Sequence, residues 1–157
     1  MTQEDKELLL KDLCTRSPYG VKIHINSHIE EQNHMRLFDV NLEAETIGVR
    51  NEKWVFRAIP IIDDEDETKV IKPYLRPMES MTDEERKIYK SFFSIGEYSC
   101  GGSLYGKEYE YIDSDSDDIV QCISLIDWLN AHHFDYRGLI EKGLAIEVTE
   151  ENNPYEK

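Results

Sequence analysis

The sequence predicts an α+β fold, a small, mostly antiparallel sheet of about four or five strands packed against three or four helices. Three observations carry that prediction. Apolar residues alternate with period two in several blocks between residues 21 and 75, helix-capping signatures precede two apolar-periodic stretches, and the connections between the alternating blocks are short enough for an antiparallel meander.

Taken in chain order, Thr2 with Asp5 three residues later opens a helix over 2–14, with acids in the first turn and an apolar stripe of Leu9, Leu10 and Leu13. Ser17-Pro18-Tyr19-Gly20 punctuates its end. Val21, Ile23 and Ile25 then alternate with polar residues, as do Phe38, Val40, Leu42 and Ala44 after a polar turn over 27–35. A third strand over 53–62 holds Pro60 near its end, which places that end at a sheet edge, and a fourth covers 70–75. Thr82-Asp83-Glu84-Glu85 is a capping box for a helix over 83–93. Residues 94–112, rich in glycine and tyrosine, read as a loop or short hairpin. Asp117 or Asp118 caps a helix whose broad apolar face, from Ile119 to His133, predicts a central buried element. Asp135 caps a short helix over 136–142, Gly143 takes the left-handed position after it, and Leu144, Ile146 and Val148 alternate as a final strand.

The chain is predicted to form one globular domain over 1–149 with a polar tail, 150–157, that frays. Leu, Ile, Val and Phe make up about a quarter of its 157 residues, enough for a core. Asp and Glu number 33 against 18 Lys and Arg, a net charge of −15, which argues against direct binding of DNA or RNA because that affinity needs a basic face. The three cysteines are an odd number without a CxxC pair and predict reduced thiols. With a polar, acidic amino terminus and no apolar run approaching ~20 residues, the expectation is a soluble cytoplasmic protein that does not enter a membrane.

No catalytic constellation is evident. His132-His133 beside Asp135 invites a metal reading, yet adjacent helical side chains diverge by about 100° and cannot chelate as i, i+4 histidines do. Asp113-Ser114-Asp115-Ser116-Asp117 opens like a calcium loop but has Asp118 and Ser124 where that loop requires Gly and Glu. The Gly101–Gly106 stretch lacks the Lys-Ser/Thr ending of a phosphate loop, and neither Cys100 nor Ser103 has a recognisable base. No metal and no cofactor is therefore expected. Binding candidates are Tyr74 and Arg76, which the flanking Pro73 and Pro77 hold extended and projecting to one side, together with His132, His133, Asp135 and Arg137. The acids Asp63, Asp64, Glu65, Asp66 and Glu67, with Asp113, Asp115, Asp117 and Asp118, form a candidate acidic surface.

Three runs in order, Glu4 to Cys14, Lys72 to Thr82 and Trp128 to Ala145, resemble a family of short uncharacterised proteins from gut Bacteroidetes and their phages or prophages. The resemblance covers about a quarter of the chain and implies an accessory role in a bacterial or phage setting without an activity. This chain departs from that pattern over 84–118, which is longer and richer in tyrosine. The first functional expectation is a non-enzymatic protein that binds a protein partner. The alternatives are an acidic mimic of nucleic acid, which requires the two acidic segments to form one array, and a small enzyme built around Tyr74, Arg76, His132 and Asp135.

Overall fold

The computed structural model describes residues 1–25, 33–61, 71–93 and 116–156, except for the side chains of 116–120. The readings that fall on the turn over 27–32, the acidic stretch 63–67, the glycine-rich 94–112, and Asp113 and Asp115 lie outside the described residues, as do the side chains of Asp117 and Asp118. The fold is α+β, and the described residues form one mixed six-stranded sheet and three α-helices. Residues 1–78 and 129–157 form one compact unit and residues 79–128 a second.

In the first unit, Thr2 Oγ1 accepts the Asp5 N–H at 3.1 Å and donates to its carboxylate at 2.7 Å, opening α1 (Gln3–Arg16). A 3₁₀ turn, Ser17–Tyr19, and Gly20 at φ +67° end the helix. Six strands follow in the chain: β1 (Lys22–His24), β2 (Met35–Asn41), β3 (Thr46–Arg50), β4 (Val55–Pro60), β5 (Lys72–Leu75) and β6 (Ile146–Glu147). They lie in the order β4-β3-β2-β1-β5-β6, all neighbours antiparallel except β5 and β6. β4 is an edge, as Pro60 predicts. Pro73 is tolerated in an inner strand. Leu75 turns its carbonyl to the Val148 N–H on the β6 side, so the donor that proline lacks also faces that side, where pairing begins only at Tyr74.

One face of the sheet carries the core. Ile23, Met35, Leu37, Ile47, Val49 and Leu75 meet Leu9, Leu10 and Leu13 of α1 and Leu139, Leu144 and Ala145 of the closing segment. Each fully buried aliphatic side chain stabilises the fold by ~1.5–3 kcal/mol relative to leaving it in water.

The alternation over 38–45, read as one strand, is instead the end of β2 and a turn. Asn41 Oδ1 accepts the Ala44 N–H at 2.9 Å, Glu45 takes φ +51°, and β3 returns beside β2, which raises the strand count to six. The helix expected over 136–142 is a single turn. Gly138 at φ +71° interrupts it, while the Gly143 N–H to Ile140 and Leu144 N–H to Leu139 bonds, both 2.9 Å, form a Schellman end with Gly143 at φ +69°.

The tail carries an anchor to the sheet. The Tyr155 hydroxyl accepts the Lys22 N–H at 3.2 Å and donates to the Tyr74 carbonyl at 2.7 Å, joining β1 to β5.

The second unit holds α2 (Asp83–Ser91) and most of α3 (Ser116–Ala131). The predicted capping box is complete, with Glu85 N–H on Thr82 Oγ1 and Thr82 N–H on the Glu85 carboxylate. Arg86 donates to the Met81 and Glu79 carbonyls, and Phe92 meets Trp128 at 6.1 Å between ring centroids. The expectation that α3 is buried on a broad face is corrected. Among its described side chains, Leu125, Leu129 and Asn130 are buried and Ile126 and Trp128 half-buried, whereas Cys122 is exposed and Ile123 is 56% exposed, so the apolar positions are not buried throughout.

Candidate functional site

Of the predicted binding residues, the structure gathers Arg76, His133, Asp135 and Arg137 at the crossing where the chain leaves α3. His133 takes φ +60°, and bonds from His133 N–H to Asn130 and Phe134 N–H to Leu129 close the helix in a second Schellman end. The next residues pair with the end of β5. Arg76 N–H donates to the His133 carbonyl and Asp135 N–H to the Arg76 carbonyl, both at 2.8 Å. Both carboxylate oxygens of Asp135 accept backbone N–H groups, those of Leu139 and Ile140 at 3.0 and 2.7 Å, so the side chain caps the turn. The Arg76 guanidinium covers the Phe134 ring at 4.3 Å.

Beneath this crossing lies a buried ion pair that the sequence reading missed. Arg16 donates from Nε to Asp12 at 2.6 Å and from Nη2 to the Phe134 carbonyl at 2.7 Å, and neither side chain is exposed. Arg137 Nε stands 3.4 Å from the other Asp12 oxygen, and the Arg16 and Arg137 guanidiniums both lie over Tyr136, whose hydroxyl donates to Asn130. Burial pushes the Asp12 carboxyl above its ordinary range against the pull of Arg16 and Arg137. The i, i+4 spacing of Asp12 and Arg16 was the available signal.

His132 and His133 turn to different neighbours, His132 stacking on Phe134 at 6.4 Å and His133 on Tyr155 at 4.1 Å. Burial, and the nearby charge of Arg16, lower His133 to about 4. Tyr74 points away from the core that its neighbour Leu75 enters. There it meets His24, 3.3 Å from hydroxyl to Nδ1, and His34, 5.1 Å between rings. Burial raises both Tyr74 and Tyr155. Among the described residues no three His, Cys, Asp or Glu side chains converge as metal ligands would, and no helix is long and apolar enough to cross a membrane.

A second grouping emerges from strand register alone. Lys22, Arg36 and Arg50 stand opposite one another on β1, β2 and β3, with Val55 of β4 next in the row. Arg36, Arg50 and Val55 are exposed, on the face opposite Leu37 and Val49. Two bulges flank Gly48, one leaving Phe38 as the extra residue of β2 and the other bending β4 at Ala58, φ +56°. They bring Arg50 and Arg57 over the Phe38 ring, at 5.5 and 5.6 Å from its centroid.

The class that these features define is a small α+β protein with a mixed sheet, one seam stitched by buried polar groups and one face bearing arginines. No protein-family model matches the chain, and no curated protein or solved structure matches it at a significant level.

Proposed function

We propose that the chain is a non-enzymatic accessory protein of bacterial or phage origin that acts by binding another protein through the exposed face of β2, β3 and β4. The observation that carries this reading is the placement of Arg50 and Arg57 over Phe38, with Arg36 and exposed Val55 on either side of Arg50 in the cross-strand row, on a chain of net charge −15. Arginine and aromatic side chains are what binding hot spots are enriched in. The polar groups at the α3 crossing, by contrast, are engaged in backbone bonds and in each other, which supports a scaffolding role for them. The test is affinity capture from the native host, re-formation of the complex from purified components, and hydrogen-exchange mapping. Protection over 36–57 is expected. Protection confined to 79–93, or a protein recovered alone at every salt concentration, overturns the proposal.

A further inference from the structure

We infer that the arginine-bearing face takes an acidic, extended segment of the partner protein, an inference that rests on the binding reading above. Like charges directly opposite on neighbouring strands destabilise a sheet, yet Lys22, Arg36 and Arg50 occupy one row. The chain holds 33 acids, and none of those described forms an ion pair with Arg36, Arg50 or Arg57.

Two glycines seat these groups. A Cβ on Gly20 would stand 2.2 Å from Arg36 Nε, and one on Gly48 would stand 2.8 Å from the Phe38 ring, so the absence of a side chain at each lets the guanidinium and the ring lie down on the backbone. A guanidinium held over an aromatic face keeps its N–H edge for a carboxylate, which it can grip with two parallel bonds. Alternate side chains of an extended segment lie ~7 Å apart on one side, a spacing that long arginine side chains on adjacent strands can meet. The face is thus a local basic site, partly preorganised, inside an acidic field. That field opposes a long polyanion such as nucleic acid and tolerates a short acidic segment that contacts only this patch.

The experiment is fluorescence anisotropy at low salt with a labelled (Glu-Ser)5 peptide. Wild-type protein is expected to bind it and to lose affinity as salt rises. R50E/R57E is expected to weaken binding at least ~tenfold and F38A severalfold, with R50Q/R57Q as the milder variant and near-UV circular dichroism as the check on folding. The control is K11E/K87E, which changes net charge equally at exposed sites elsewhere and is expected to bind as the wild type does. Absence of wild-type binding, or equal loss in the control, overturns the inference. So does tighter binding of a thymidine decamer that R50E/R57E abolishes, or self-association in sedimentation velocity that the same variant abolishes. If R50E/R57E still captures the natural partner, this inference fails while the protein-binding reading stands.

Discussion

At the scale of single residues, three positions make sharp claims. Gly143 sits at φ +69° with open space where a Cβ would go, so backbone strain alone governs substitution there. Gly143→Val is expected to lower stability by more than ~1 kcal/mol, and Gly143→Asn by much less; an unchanged melting temperature for the valine variant would contradict the C-cap. His133 binds a proton near 6.5 in an unfolded chain but only at about 4 when folded. Stability from this group is therefore full above 6.5 and declines as pH falls toward 4. Urea titrations at pH 7.5 and 4.5 are expected to differ by ~2–3 kcal/mol on its account. His133→Asn, which keeps a residue suited to φ +60°, removes that part of the difference. Asp12, raised by burial, acts in the opposite sense, its stability contribution present at low pH and lost as pH rises past the ordinary carboxylate range, and it is common to both proteins. Tyr155→Phe deletes the hydroxyl between β1 and β5 and is expected to cost about 1–3 kcal/mol by thermal melting.

At the scale of elements, α1 is fastened to the α3 crossing by its last turn. Asp12→Ala leaves Arg16 buried without its carboxylate and is expected to destabilise by about 3–5 kcal/mol in urea titration, more than Arg137→Ala, whose side chain is partly exposed. Elements with their own local chemistry were legible in the sequence: Thr2, Thr82 and Gly143 each define a helix or turn end through bonds to residues a few positions away. What escaped depended on distant contacts. The reading of 38–45 as one strand failed because Leu42 and Ala44 keep the apolar alternation through a turn that Asn41 and Glu45 create. Tyr155 looked like part of a solvated tail because its two bonding partners lie in β1 and β5. The candidate residues Arg76, His133, Asp135 and Arg137 were legible as a group, whereas the bonds of the Asp135 oxygens to the Leu139 and Ile140 N–H groups depend on a turn that the sequence alone did not show. The row Lys22, Arg36 and Arg50 was invisible because opposition across strands is set by register and not by spacing in the chain.

At the scale of the whole molecule, a charge of −15 sets how it meets other macromolecules. No micromolar binding to a random DNA duplex is expected in a gel shift at low salt, the condition most favourable to phosphate contacts. Association with a protein partner through the arginine face is expected to slow as salt rises, the packed contact persisting. The Tyr155 bridge also bears on the order in which the molecule can be made. Its hydroxyl joins residues 133 and 81 positions upstream, so a chain growing from its amino terminus can build the β2–β3–β4 meander from near neighbours long before residue 155 exists. Until then the β1–β5 seam lacks its bridge, and a nascent chain waits with that part of the sheet incomplete, open to mispairing or to a chaperone.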